Sequence, residues 1–123
     1  MFVDDNEGIR DYLVSLADIF NLNSLAFSSG VEALKYLEDN STNLPRAYVV
    51  DMRIPGSADE LVSSERIYEF LKARNAHDLF TYFTGCLSDH DVEVQRRTGA
   101  SILIKSQQLN ELKEFFKRVC DNQ

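Results

Sequence analysis

The sequence predicts an α/β fold, a doubly wound sheet of five parallel strands with helices on both faces. Three observations carry that prediction. Short apolar runs alternate with longer stretches of helical periodicity, and the pairing repeats along the whole chain. The runs lack an apolar–polar alternation, which is the pattern of strands covered on both faces and therefore of a parallel sheet. The chain's 123 residues suit one domain that buries about two-thirds of its unfolded surface. Right-handed crossovers leave few ways of connecting such units.

Each element follows in turn. Met1-Phe2-Val3 is a first strand that stops at Asp4-Asp5. Residues 7–20 place Ile9, Leu13, Ala17 and Phe20 on one helical stripe, with Asp5 or Asn6 as the cap. Residues 24–27 form a second strand. Residues 30–39 form a second helix whose apolar face is Val31, Leu34 and Leu37. Ala47-Tyr48-Val49-Val50 is a strand that closes on Asp51. Ile67, Tyr68, Phe70 and Leu71 mark a third helix, with its start somewhere in residues 58–66. Phe80-Thr81-Tyr82-Phe83 is aromatic and β-branched, hence a strand, and ends at Thr84-Gly85. Residues 89–97 form a helix that buries Val92 and Val94. Residues 101–104 form the last strand, ending at Lys105. Leu109, Leu112, Phe115, Phe116 and Val119 give the closing helix its apolar face.

Composition excludes several function classes. A net charge of -7 opposes binding along a phosphate backbone, which needs a basic face. No apolar run approaches the ~20 residues that span a bilayer. Cys86 and Cys120 lack metal-ligand spacing and read as reduced thiols of a cytoplasmic protein. His77 and His90 read as surface residues, and Tyr48 and Tyr82 as core.

The informative pattern is where the polar residues fall. Asp4-Asp5, Asp51, Thr84 and Lys105 each stand at the carboxyl end of a different strand. In an open parallel sheet, ligands bind outside those ends, at the topological switch point. Taken singly, each residue has a bland reading: Asp4-Asp5 a solvated turn, Thr84 a turn residue, Lys105 a solvated lysine. Together they describe one edge carrying three carboxylates, a hydroxyl and an ammonium. Such a set suits a hard divalent cation and a phosphoryl group.

Four motifs, VDDN (3–6), VVDMRIPG (49–56), FTG (83–85) and ILIKS (102–106), resemble those of response-regulator receiver domains in two-component signalling, over essentially the whole chain. The resemblance implies a flavodoxin-like strand order of 2-1-3-4-5 and a single receiver domain over residues 1–123, standing alone or cut from a longer chain. It implies that Asp51 accepts a phosphoryl group from a phosphohistidine on a sensor histidine kinase or a histidine phosphotransfer protein. Mg²⁺ would be held by Asp5 directly, by Asp4 mainly through water, by Asp51, and by the backbone carbonyl of Arg53. Thr84 and Lys105 would each hold a phosphoryl oxygen. The module would not be an enzyme beyond its own phosphorylation and slow dephosphorylation. Its output face, built from the fourth helix, fifth strand and fifth helix, would signal to a downstream protein or effector domain, without direct nucleic-acid contact or membrane insertion.

Departures from the family pattern are local. Ile102 stands where many receivers carry a switching aromatic ring. Ser106 replaces the usual proline, so Lys105-Ser106 is either a cis bond, at about 2.5–4 kcal/mol without proline, or part of a different loop path. Arg53 and Cys86 occupy positions that modulate phosphoryl lifetime. Residues 56–66, GSADELVSSER, read as an extended partner-specific loop. Two other classes compete. A haloacid-dehalogenase-type phosphohydrolase would need an acid where Arg53 stands. A degenerate receiver would serve only as an interaction platform.

Overall fold

The computed structural model describes residues 1–52 and 58–122, with the side chains of residues 58–63 left aside. The element order is β1 (Phe2–Val3), α1 (Glu7–Ile19), β2 (Ala26–Phe27), α2 (Gly30–Asp39), β3 (Tyr48–Val50), α3 (Ala58–Ala73), β4 (Phe80–Thr84), α4 (Asp89–Thr98), β5 (Ser101–Ile104) and α5 (Leu109–Asp121). All strands are parallel, in the order β2-β1-β3-β4-β5. That is the doubly wound arrangement expected from the sequence.

Two apolar cores flank the sheet. One joins Val3, Val50, Tyr82 and Ile102 to Ala33 and Leu37 of α2, Ile67 and Leu71 of α3, and Val94 of α4. The other joins Phe2, Val49, Phe83 and Leu103 to Leu13 and Ala17 of α1 and to Leu112, Phe115, Phe116 and Val119 of α5. Successive residues of β1, β3 and β4 thus feed opposite cores, which is why their sequences show no polar alternation. β2 and β5 are the sheet's edges and are only partly covered. Full burial of every strand was expected; the edge positions explain the difference.

Helix ends follow local chemistry. Asn6 caps α1 by accepting from the Ile9 amide at 3.0 Å. Ser29 caps α2 by accepting from Glu32 N–H at 3.1 Å. Ser88 and Asp91 form a reciprocal capping box on α4. Past the ends of α1 and α3, Asn21 and Asn75 take left-handed conformations at φ 57° and 54°, as asparagine tolerates.

Some expectations change. Residues 58–66 belong to α3, which runs from Ala58, so the extended loop is shorter than expected, and its remaining residues 56–57 lie outside the described residues. Val92, Val31 and Leu109 are exposed, while Val94, Ala33 and Leu112 take the buried positions. In α4, Val94 and Val92 lie on opposite faces two residues apart, and Val94 is the one turned inward. Tyr48 and Tyr82 are core residues, and their hydroxyls donate to Pro45 O at 2.5 Å and Ser64 O at 3.3 Å. His90 lies on the surface against Glu65. His77 is half-buried and packs on Tyr68. Cys86 is exposed, and Cys120 is half-buried with its Sγ donating to Phe20 O at 3.4 Å. Among the described residues no helix is long and apolar enough to cross a membrane.

Candidate functional site

Strand register brings the polar residues together. Val3 pairs with Val50, so the next residues, Asp4 and Asp51, leave adjacent strands side by side. Their backbones continue the ladder: Asp51 N–H donates to Val3 O at 2.7 Å, and Asp4 N–H to Phe27 O at 3.1 Å. On the other side, Thr84 pairs with Ile104, and Lys105 N–H donates to Thr84 O at 2.8 Å.

The side chains then converge. Asp4 and Asp51 are buried, at 1% and 5% exposure, whereas Asp5 is exposed. Carboxylate oxygens of Asp4, Asp5 and Asp51 all lie within 4.8 Å of one another. Two buried like charges this close need a counter-charge. Lys105 provides it: its Nζ stands 2.7 Å from Asp4 Oδ2 and 3.2 Å from Asp51 Oδ2. The stem passes the Phe83 ring, with Nζ 5.9 Å from the centroid. Burial by itself would lower the lysine's pKa. The hydrogen bond to Asp4 and the charges of Asp51 and Asp4 outweigh it, and hold the ammonium above its ordinary range.

The strand-one turn is tied down by its neighbours. Asp4 Oδ1 accepts from Asn6 N–H at 2.9 Å. The Asp4 carbonyl accepts from Arg10 Nη1 at 2.8 Å. Thr84 is buried, and its hydroxyl donates to the Cys86 carbonyl at 3.1 Å, so it holds the start of the loop toward α4. After β5 the chain takes a turn rather than a cis bond: no cis peptide occurs among the described residues. Gln107 and Gln108 N–H donate to Ile104 O at 3.1 and 3.0 Å, and Gln108 Oε1 accepts from Ile104 N–H at 2.8 Å. Gln108 thus does the work of fixing this loop where a proline is missing.

Every sequence-predicted side chain at the site, Asp4, Asp5, Asp51, Thr84 and Lys105, therefore sits at one edge of the sheet. The Arg53 carbonyl lies outside the described residues. Sequence reasoning missed Arg10 and Gln108. Arg10's signal was its place one turn into α1, on the side of the Asp4-Asp5 turn; Gln108 had none, since a glutamine in a loop predicts no particular bond. A partly open cleft of about 210 Å³ lies at the other end of the strands, lined by Phe2, Tyr48, Phe115 and Phe116 among others, with no carboxylate among its described lining residues.

The donor set fits a hard divalent cation. Three carboxylates supply anionic oxygens within 4.8 Å of one another, the hard donors that such a cation takes.

Three solved structures share this fold. A response regulator receiver domain protein from Clostridium thermocellum superposes with a TM-score of 0.72 at 21% identity, covering 98% of this chain and 92% of that one. The receiver domain of the Francisella response regulator 1452 gives 0.73 at 17% identity, covering 98% and 94%. A DNA-binding response regulator of the LuxR family from Staphylococcus aureus gives 0.70 at 18% identity, covering 97% and 96%. No family model and no curated protein matches the chain. The fold is that of response-regulator receiver domains.

Proposed function

We propose that this chain is a receiver domain whose Asp51 accepts a phosphoryl group from a phosphohistidine on a sensor histidine kinase or histidine phosphotransfer protein. The observation that carries the reading is a buried aspartate at the end of β3, paired with a lysine ammonium and clustered with two further carboxylates. A carboxylate is a competent nucleophile toward phosphorus. An Asp51 oxygen forms the new bond to phosphorus as the bond to the imidazole nitrogen breaks, and the electron pair returns to that nitrogen. Mg²⁺, held by Asp4, Asp5 and Asp51, would neutralise the phosphoryl oxygens during transfer. Lys105 and Thr84 act from the protein side. The ammonium, shared by two carboxylates before transfer, then meets about -1.5 to -2 added charges. The Thr84 hydroxyl exchanges the Cys86 carbonyl for a phosphoryl oxygen, and this releases one tie on the loop into α4.

That release shifts the population of arrangements of the α4–β5–α5 face, which a downstream protein or effector domain reads. Ile102, buried in β5, has no ring, so the reading does not assume an aromatic rotamer switch at this position. The reading includes a cytoplasmic location and self-phosphorylation without turnover of external substrates. Incubation with a small acyl-phosphate donor tests it. The protein should gain one phosphoryl group in the presence of Mg²⁺ and none in a chelator. Steady hydrolysis of phosphoesters would instead indicate a phosphohydrolase.

A further inference from the structure

Asp5 is the site's exposed carboxylate, and among the described residues nothing bonds its side chain. Its position comes from its backbone. The peptide on its amino side presents the Asp4 carbonyl, which Arg10 Nη1 holds at 2.8 Å. The peptide on its carboxyl side presents the Asn6 N–H, which Asp4 Oδ1 holds at 2.9 Å. Asp4 is in turn held by Lys105 at 2.7 Å. Both peptide planes flanking Asp5 are therefore pinned, one by a guanidinium and the other by a fixed carboxylate. With both planes fixed, the Asp5 φ and ψ angles are fixed, and so is the direction of its Cβ.

We infer that Arg10 is a positioning residue for cation binding, acting through the Asp4 carbonyl to orient Asp5. The inference rests on the Mg²⁺ reading given above. α1 supplies the means: Asn6 caps it, Arg10 N–H donates to Asn6 O at 3.0 Å, and the helix's first turns direct Arg10 back over the two-aspartate turn. Gly8 keeps the cap uncrowded, since a Cβ there would come within 3.2 Å of Asn6 Oδ1. The sign of Arg10's effect separates this role from a purely electrostatic one. A guanidinium near a cation site weakens binding by repulsion, so an electrostatic role predicts tighter Mg²⁺ on its removal. A positioning role predicts weaker Mg²⁺.

Calorimetric titration of the full chain with Mg²⁺ decides between them. Arg10→Met keeps an unbranched stem of helix-favouring type and loses the donor to Asp4 O. It should bind Mg²⁺ about 10-fold more weakly than wild type, the usual scale for removing an outer partner of a metal ligand. Arg10→Lys, which restores a donor on a long stem, should recover most of the affinity. Unchanged or tighter binding by Arg10→Met overturns the inference and leaves the Mg²⁺ reading standing. Absence of Mg²⁺ binding by the wild type overturns both.

Discussion

The Lys105 ammonium lies 2.7 Å from Asp4 Oδ2, closer than its 3.2 Å to Asp51 Oδ2. The lysine at the end of β5 therefore serves as the resident counter-ion for the carboxylate of β1. It lies against both buried aspartates and offsets part of their mutual repulsion. A cation and a phosphoryl group must both contend with this pairing, so Lys105 links stability to function.

Removing the ammonium should therefore cost stability. Lys105→Met removes the ammonium that lies against both the Asp4 and Asp51 carboxylates. Loss of one partner costs about 3–5 kcal/mol when fully buried and up to about 1 kcal/mol when exposed. The Lys105 side chain is 18% exposed, so about 2 kcal/mol is expected by urea unfolding in chelator. Added Mg²⁺ should restore part of the loss. Equal stability of variant and wild type would refute the counter-ion role.

The pH dependence of this pairing has a definite sign. The Lys105 pKa is raised above its ordinary value of 10.5, so its contribution is fully present below that pH. It is lost as pH rises through the raised value. The stability gap between wild type and Lys105→Met should be flat from about pH 7 to about pH 9 and should narrow at higher alkalinity. A gap that closes near neutrality would point to another titrating group.

Asp5 should behave in the opposite way. It is exposed and bears no side-chain bond among the described residues, and its removal lowers the local negative charge. Asp5→Ala should unfold at the same or slightly higher urea concentration in chelator, yet lose Mg²⁺ binding in calorimetry. A variant that unfolds early would show Asp5 to be structural.

The fold makes a separate prediction. Phe116 is 2% exposed and packs against Phe2 and Phe20 with ring centroids at 5.7 and 5.9 Å. Phe116→Ala should cost about 3–5 kcal/mol. Ile19, at 75% exposure on α1, should change stability by no more than about 0.5 kcal/mol when replaced by alanine. Urea unfolding of both variants checks the contrast.

The site was legible because strand-end chemistry is written one residue beyond each apolar run. Asp4, Asp51, Thr84 and Lys105 could be placed on one edge once the strands were read as parallel. The sequence was less informative about bonds from backbone atoms. That Arg10 holds a carbonyl and Gln108 holds an amide depends on helix phase and loop path, which carry no residue-type signature. The loop was over-extended into α3 because Ser63, Ser64 and Glu65 are weak helix markers, whereas the structure continues the helix from Ala58 through Ser64, whose hydroxyl donates to Met52 O at 3.1 Å. Val92 is exposed because a 10-residue helix with two valines on opposite faces leaves the choice of buried face to tertiary packing.

The central claim is that Asp51 is the phosphoryl acceptor. Intact-mass measurement after incubation with an acyl-phosphate donor and Mg²⁺ tests it most directly, comparing wild type with Asp51→Asn. The expected result is one phosphoryl adduct on the wild type and none on the variant. An unmodified wild type, or an adduct of equal yield on Asp51→Asn, would contradict the claim.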